Sequence, residues 1–222
     1  MVSGDVAASA LLHRRILDME FLSRLGPRFM RAYYRAWLGA PDAITLVAVG
    51  PSGAVVGVLL GATNPANHVR AMVRRDGVRI AGELATYALI HPRVAKDLVV
   101  TRGWRYARGV SRMVVARLSP RSSTPSESGP VVGEITHVLV DNALQGRGIG
   151  RALLEAATSA ARTAHVEELV LVTPPDLAAR HFYERLGWRP EGSLQSRSSE
   201  EFLRFRYFLR DGESPEATTQ PE

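Results

Sequence analysis

The sequence predicts an α/β protein, in which helices pack on a sheet that contains at least one parallel pair of strands. Three observations support this class. A hairpin pattern occupies residues 44–60, helical patterns flank it, and a strand–helix–strand pattern follows at residues 131–172. The strand–helix–strand unit decides the class, because a helix between two strands is the connection that parallel strands require.

The amino-terminal part combines one hairpin with two helical patterns. Pro27 suits the first turn of a helix, and an apolar and aromatic pattern runs from there to Gly39. Ile44 to Val49 and Val55 to Leu60 are β-rich and enclose a turn with Pro and Gly, which predicts the hairpin. A second helical pattern covers residues 68–90. We interpret the aromatic stripe of the first helix as core packing; the stripe consists of Tyr33, Tyr34 and Trp37.

Segments of low complexity set the expected domain boundaries. Residues 119–130 hold only Ser, Pro, Thr, Glu and Gly with a single Arg, so they bury little surface and are predicted to form a mobile loop. Residues 113–118 form a candidate strand before this loop. The polar, acidic tail at residues 211–222 predicts disorder. We therefore expect one domain over residues 1–210.

The composition is typical of a folded soluble protein, with 222 residues, 45% of them hydrophobic and 23% charged. The absence of cysteine excludes a disulfide scaffold, a cysteine nucleophile and cysteine ligands for a metal. No apolar run reaches the roughly 18 to 20 residues of a membrane-spanning helix. Asp5 and the missing basic n-region argue against a signal peptide. We therefore expect a cytoplasmic protein with no membrane partner and no metal.

The formal net charge is +6, from 28 basic and 22 acidic residues. Such an excess is common in proteins that bind nucleic acids. However, Lys96 is the only lysine, and the arginines are scattered without a run of five. We therefore disfavour nucleic acid as the partner. A small molecule that carries a polyphosphate suits the same positive charge.

The strand–helix–strand unit carries the functional pattern. Residues 131–140 and 169–172 are the predicted strands, and the second is an apolar run of the kind that is buried on both faces of a sheet. The helix between them has small and large apolar residues at i, i+3 and i+4 spacing, which predicts that this stripe faces the core. The stripe consists of Ile149, Ala152, Leu153, Ala156, Ala157, Ala160 and Ala164.

A glycine-rich turn, Gln145-Gly146-Arg147-Gly148-Ile149-Gly150, begins this helix. Its glycines leave backbone N–H groups open at a helix amino terminus, where the helix dipole favours anions, so the turn predicts a pyrophosphate site. No Lys-Ser or Lys-Thr follows, which excludes a P-loop. A dinucleotide-binding fingerprint is disfavoured, because it needs a third glycine three residues after the second and an acidic residue at the end of the second strand.

The spacing Gln-x-x-Gly-x-Gly resembles the acyl-CoA pyrophosphate loop of the GNAT-type N-acetyltransferase superfamily. A second motif, the run HFYERLGW from His181 to Trp188, is similar to the downstream signature of that superfamily. Tyr183 follows Gly150 by 33 residues, a spacing that one strand and parts of two helices require. The resemblance implies a GNAT-like α/β fold, with a mixed, mostly antiparallel sheet of six or seven strands flanked by helices.

The resemblance also implies a site for acyl-CoA, with acetyl-CoA as the donor substrate. In the family, the strand before the loop splays from its neighbour and its backbone binds the pantetheine arm; here this strand segment is Val138, Leu139 and Val140. The residues that would hold the pyrophosphate are Gln145, Gly146, Arg147, Gly148, Ile149, Gly150 and Arg151. One departure is Asp176, which stands where many members have asparagine and which suits a helix N-cap.

The reaction requires a proton acceptor for the amine and a proton donor for the departing thiolate. Tyr183 matches the position of the family's general acid. Glu134 lies as far before the glycine turn as the base of the histone-acetylating branch. On a regular strand it would share a face with Thr136, Val138 and Val140. The alternative is that Glu134 only begins a strand at its solvated end. His137 would point to the opposite face and have a structural role.

We therefore expect an enzyme that transfers an acetyl or other short acyl group from acyl-CoA directly to a primary amine of a small molecule such as an amino sugar. Two alternatives remain open. One is a non-catalytic acyl-CoA-binding sensor or interaction module on the same fold, and the other is an acetyltransferase that acts on a protein amine. The acceptor site would be formed by the amino-terminal helices and residues 119–130. A homodimer is compatible with this interpretation.

Overall fold

A six-stranded sheet forms the centre of the computed structural model, which describes residues 1–18, 21–92, 130–175, 177–195 and 201–209. The strands of this described part are β1 (Ala43–Val49), β2 (Val55–Ala62), β3 (Val132–Val140), β4 (Glu168–Thr173), β5 (Arg189–Gln195) and β6 (Glu201–Phe208). They lie in the order β1-β2-β3-β4-β6-β5. Among the described strands, β3 and β4 are parallel and all other neighbours are antiparallel. The predicted α/β class with a mixed, mostly antiparallel sheet is confirmed.

Helices cover both faces of this sheet. The helices of the described residues are α1 (Val6–Ile16), α2 (Phe21–Arg24), α3 (Gly26–Leu38), α4 (Pro65–Ile90), α5 (Ile149–Thr163) and α6 (Leu177–Arg185). One hydrophobic cluster joins α1 and α3 to one face of the sheet. A second cluster joins α5 and α6 to the other face. The two faces are therefore distinct environments. The face to which a strand side chain points decides which helices it packs against.

The amino-terminal elements lie where the sequence predicts them. The hairpin is β1 and β2, and α3 ends at its C-cap Gly39. Tyr34 and Trp37 are buried, which confirms the core role of the aromatic stripe. The next helix begins at Pro65 rather than at residue 68, because the side chain of Asn64 accepts a hydrogen bond from the backbone N–H of Asn67 at 3.0 Å and caps it.

The core-facing stripe of α5 differs from the predicted one. The residues of this helix that are buried are Leu153, Leu154, Ala157, Thr158 and Ala161. Four alanines of the predicted stripe are exposed instead, namely Ala152, Ala156, Ala160 and Ala164. Thr158 is tolerated inside because its hydroxyl donates to the carbonyl of Leu154 at 2.7 Å. The prediction is confirmed for Leu153 and Ala157. It was wrong for the exposed alanines, because alanine counts as apolar in the pattern although it buries little surface, so the bulkier residues decide the orientation.

Several predictions concern residues outside the described part of the chain. They are the candidate strand at residues 113–118, the loop at residues 119–130 apart from Pro130, and the tail at residues 211–222. The single domain over residues 1–210 also stays a prediction. No helix of the described residues is long and apolar enough to cross a membrane.

The central strand β4 should contribute strongly to stability through Leu169, which is fully buried. We expect Leu169→Ala to lower the free energy of unfolding by about 2 to 5 kcal/mol, because the truncation loses apolar burial and leaves a cavity. Urea denaturation measures this change. Val78→Ala on α4 is the control, since its side chain is 91% exposed, and it should change stability by less than about 0.5 kcal/mol. Equal effects in the two variants would contradict this account of the core.

Candidate functional site

The parallel strands β3 and β4 diverge and leave an open wedge at their carboxyl ends. They pair only where Val132–Ile135 lies beside Glu168–Leu171, so the rest of β3 has no partner on this side among the described strands. On its other side, β3 stays paired with β2 as far as Val140, which lies opposite Gly57. The wedge therefore opens one backbone edge of β3, while β2 holds the strand in position. This divergence agrees with the splayed strand that the resemblance implied.

Two residues of β3 direct their backbone groups into the wedge. The N–H of Asp141 donates to the carbonyl of Val56 at 2.9 Å, which identifies one hydrogen-bonded pair of the β2–β3 ladder. Bonded and non-bonded pairs alternate along an antiparallel ladder. The N–H and C=O groups of Val138 and Val140 therefore point away from β2. They form a row of donors and acceptors that faces the wedge.

The glycine turn lies between the end of β3 and the amino terminus of α5. Gly146 and Gly148 have φ values of +75° and +80°, and the space around the Cβ position of each is open. Gly148 is the N-cap of α5 and has no side chain that could accept from the helix. The first helical bond runs from the N–H of Ala152 to the carbonyl of Gly148. The amides of residues 148–151 therefore have no acceptor within the helix and suit an anion.

Gly150 has a packing role. A Cβ atom at this position would lie 3.2 Å from Cζ of Phe182 on α6 and 3.6 Å from Cγ2 of Val140. The missing side chain therefore allows α5 to approach both α6 and β3. A larger residue here would disturb the packing of two helices, whatever its effect on a ligand.

Polar side chains fix the approach to the glycine turn. Asp141 caps the short 3₁₀ turn Asn142–Leu144, because its carboxylate accepts from the N–H of Ala143 at 3.2 Å. The same carboxylate forms an ion pair with Arg15 of α1. The side chain of Gln145 donates to that of Asn142 at 2.9 Å. Gln145 thus stabilises the loop in this structure, in addition to its predicted contact with a pyrophosphate.

Two arginines add positive charge at this helix end. Arg147 is exposed within the turn. Arg151 lies in the first turn of α5 and pairs with Glu155 at 2.7 Å, on the exposed side of the helix. The carboxylate offsets part of the Arg151 charge, so Arg147 and the helix dipole carry more of the attraction for an anion than the sequence alone indicated.

Tyr183 lies on α6 near the closed end of the wedge. Its side chain is 9% exposed and packs among aromatic rings. The nearest ring centroids are those of Phe182 at 5.2 Å, Phe205 at 5.5 Å and Trp188 at 6.1 Å. Phe205 pairs with Leu171, the last residue of β4 that has a partner on β3. Burial raises the pKa of Tyr183 to about 12, so the phenol stays protonated near neutral pH and can donate a proton.

A β-bulge in β3 changes which side chains share a face. His137 lies opposite Leu60, but Ile135 lies opposite the next residue, Gly61, so Thr136 is the additional residue. Ile135 and Val138 both pack in the cluster under α5 and α6. The alternation of side chains between the two faces of the sheet is therefore broken at the bulge. Residues three positions apart across it, such as Ile135 and Val138, point to the same face.

Glu134 consequently lies on the face that α1 and α3 cover, and not on the face of the two wedge valines. The prediction that it shares a face with them is wrong, because it assumed unbroken alternation along the strand. The prediction that His137 points away from Glu134 is wrong for the same reason. The ring of His137 lies 4.7 Å from that of His13 on α1, and its Nε2 lies 3.4 Å from the hydroxyl of Tyr33 on α3.

Glu134 lies at the closed end of the wedge, between Ala62 of β2 and Val170 of β4. Burial raises the pKa of its carboxyl group, and the positive charge of Arg204 lowers it by a smaller amount. A carboxylate with a raised pKa is a stronger base than an exposed one. Glu134 and Tyr183 thus flank the closed end of the wedge from opposite faces of the sheet.

Two further predictions concern Asp176 and the absence of a metal. Asp176 lies outside the described residues. Within the described ranges, no group of three or more His, Asp or Glu side chains is placed to hold a metal ion. Arg204 influences Glu134, and Tyr33 and His13 lie beside His137. The sequence did not indicate these contacts, because the partners come from distant parts of the chain.

A family model described as the acetyltransferase (GNAT) family matches residues 110–188. An acetyltransferase crystal structure shares 21% identity and a TM-score of 0.55, covering 94% of this chain and 97% of the other. A structure from Corynebacterium glutamicum, described as histone acetyltransferase HPA2 and related acetyltransferase, shares 16% identity and a TM-score of 0.53, covering 93% and 92%.

An aminoglycoside 6′-N-acetyltransferase solved with coenzyme A shares 10% identity and a TM-score of 0.55, covering 94% of this chain and 93% of the other. No curated protein matches by sequence. At these identities the solved structures establish the fold, and the family model adds the segment that contains the wedge, the glycine turn and Tyr183. Residues 110–188 therefore match the GNAT acetyltransferase family, and the chain shares its fold with solved acetyltransferases.

Proposed function

We propose that this protein transfers an acetyl group from acetyl-CoA to a primary amine of a small molecule. The observation that carries the proposal is the wedge between β3 and β4, whose open backbone edge leads to the open amides at the start of α5. The pantetheine arm of CoA contains amides, and it ends in a pyrophosphate. A strand edge beside a helix amino terminus complements both parts.

The proposed reaction uses groups on both faces of the sheet. The amine nitrogen attacks the thioester carbonyl, a C–N bond forms and the C–S bond then breaks. The N–H of Val138 faces the wedge and suits the oxyanion of the tetrahedral intermediate. Glu134 accepts the proton that the amine loses, and Tyr183 donates a proton to the departing thiolate. Glu134 and Tyr183 lie on opposite faces of the sheet. The proton acceptor and the proton donor can therefore approach the thioester from opposite sides.

The proposed acceptor is a small cationic amine such as an amino sugar. The carboxylate of Glu134, raised in basicity by burial, favours a substrate that arrives as an ammonium ion. Release of CoA from acetyl-CoA should be measured with amino sugars, aminoglycosides, polyamines and peptides with free amino termini. We expect turnover with at least one sugar amine. Turnover with peptides alone would support a protein acceptor, and CoA binding without any turnover would support a non-catalytic acyl-CoA-binding module.

The glycine turn provides a test of the CoA site. Gly148→Asn is expected to weaken CoA binding at least about tenfold, because the new side chain stands in front of the amides that hold the pyrophosphate. Asparagine adopts positive φ more readily than other non-glycine residues, so the fold should be retained. Calorimetric titration with CoA measures the affinity, and thermal unfolding measures the fold.

Gly53→Asn in the β1–β2 turn is the matched control. Gly53 has a φ of +77° and open space around its Cβ position, as Gly148 has. The Gly53→Asn variant therefore reports the effect of backbone strain alone, because its new side chain does not lie at the amino terminus of α5. An equal loss of CoA affinity in both variants, or no loss in Gly148→Asn, would contradict the assignment of the pyrophosphate site.

A further inference from the structure

Four side-chain rings from α1, α3 and β3 form a closed cluster on the face of the sheet that α1 and α3 cover. The members of this four-ring cluster are His13, Tyr34, Tyr33 and His137. Each ring lies edge-on to the next, with centroid distances of 5.8 Å, 6.0 Å, 6.4 Å and, from His137 back to His13, 4.7 Å. Aromatic pairs prefer edge-to-face contacts, so each ring restrains the orientation of its neighbours.

Two polar contacts tie the cluster together. Nδ1 of His13 and the hydroxyl of Tyr34 lie 3.0 Å apart, and both side chains are fully buried. The hydroxyl of Tyr33 lies 3.4 Å from Nε2 of His137. Separation of such a pair loses a hydrogen bond inside the core, so a buried polar network favours one arrangement of its members.

His137 is the member of the cluster that belongs to the wedge strand. It directly follows the bulged residue Thr136 and directly precedes Val138. A bulge bends a strand and changes the direction of the groups beside it. The peptide unit that carries the Val138 N–H joins His137 to Val138. A fixed His137 therefore also fixes the direction of this N–H.

Packing alone does not explain a histidine and a tyrosine in this part of the core. The neighbours of His137 on this face are apolar, since Leu60 of β2 and Leu139 of β3 are both buried. An apolar side chain at position 13 would fill the core without burying an imidazole, which costs free energy unless it is hydrogen-bonded. The polar pair therefore suits a requirement for one precise arrangement.

We propose that the four-ring cluster positions the Val138 N–H for the oxyanion of the tetrahedral intermediate. His13, Tyr33 and Tyr34 act through His137, and all four are positioning residues. The inference rests on the proposed function, in which this N–H stabilises the oxyanion, and it adds the side chains that hold the N–H in place.

His13→Ala tests the proposal by removing one ring of the cluster. Loss of an oxyanion donor lowers turnover by about 10² to 10³, so a displaced donor should lower kcat about 10- to 100-fold. The KM for acetyl-CoA should stay nearly unchanged, because only an interaction of the transition state is weakened. The NMR signal of the Val138 amide should shift as well. Steady-state kinetics and ¹⁵N–¹H spectra of the folded variant measure these effects.

The double variant His13→Phe/Tyr34→Phe tests whether the ring or the imidazole chemistry matters. It restores a ring beside His137 and removes both partners of the hydrogen bond together, a replacement that costs little stability. We expect kcat to return to within about threefold of the unmodified protein, because the edge-to-face contact is present again. A kcat that stays low in this folded variant would overturn the positioning role.

His68→Ala is the matched control. His68 is as buried as His13 and lies beside an aromatic ring, that of Trp37 at 4.1 Å, but it belongs to α4 and not to the cluster. The control should lose stability and keep both kcat and the Val138 signal. If His13→Ala lowers kcat no more than His68→Ala does, the inference is wrong, while the acetyltransferase proposal stands.

Tyr33→Phe gives a second test that does not depend on the folding of His13→Ala. It removes only the hydroxyl beside Nε2 of His137 from a half-buried ring. We expect a smaller decrease in kcat than in His13→Ala and a shift of the Val138 signal; unchanged values of both would overturn the inference. Absence of turnover with any amine in the unmodified protein would overturn the proposed function and this inference together.

Discussion

Tyr183→Phe is expected to lower turnover by about 10² to 10⁴, the usual contribution of one general acid. The variant keeps the ring, which packs against Phe182, Phe205 and Trp188, and removes only the hydroxyl. The affinity for acetyl-CoA should change little, because the pyrophosphate is held at the start of α5. Steady-state release of CoA gives the turnover, and calorimetry gives the affinity. Turnover close to that of the unmodified protein would show that Tyr183 only packs.

The pH dependence of turnover is a second test of the role of Tyr183. Burial raises the pKa of Tyr183 to about 12, so the phenol keeps its proton through moderately alkaline pH. The unmodified enzyme should therefore show no loss of activity from Tyr183 between about pH 8 and 10. A decline of turnover in this pH range that disappears in Tyr183→Phe would contradict the raised pKa of Tyr183. Tyr87→Phe on α4 removes a tyrosine hydroxyl from a ring that packs with the α1 and α3 cluster, and it controls for the substitution itself.

The elements that the sequence predicts correctly have strong local signals. The hairpin has two β-rich runs around a turn with Gly, and α3 has Pro27 near its start and Gly39 at its end. The glycine turn followed from its glycine spacing, whereas the wedge was implied only by the resemblance that the two motifs carry. Local signals were sufficient for the hairpin, α3 and the glycine turn, because turn and capping residues act within a few positions of the chain.

The face of Glu134 required information that no local pattern contains. The bulge at Thr136 has neither Gly nor Pro to mark it, and it arises from the pairing of β3 with β2. One additional residue moves every side chain beyond it to the other face, as a shift of register does. The role of Gly150 was also hidden, because it depends on the position of Phe182 on another helix.

Glu134→Gln is expected to lower turnover at neutral pH by about 10² or more, the contribution of a general base. The ionised carboxylate accepts the proton, and burial raises its pKa, so activity of the unmodified enzyme should fall as the pH decreases through this raised value. The glutamine variant should lack that decline. Its deficit should shrink at high pH, where more of the acceptor amine is already free. Turnover against pH with one amine acceptor measures all three effects.

Stability separates this chemical role from a structural one. A carboxyl group whose pKa is raised on folding contributes stability fully below its ordinary pKa and loses that contribution as the pH rises through the raised value. At neutral pH the ionised Glu134 therefore costs stability, and Glu134→Gln should unfold at the same or a higher temperature than the unmodified protein. His137→Gln, on the same face of β3 and beside His13, is the comparison. If the pH-dependent deficit appears in His137→Gln while Glu134→Gln keeps the profile of the unmodified enzyme, the proton acceptor is His137 and the assignment to Glu134 is wrong.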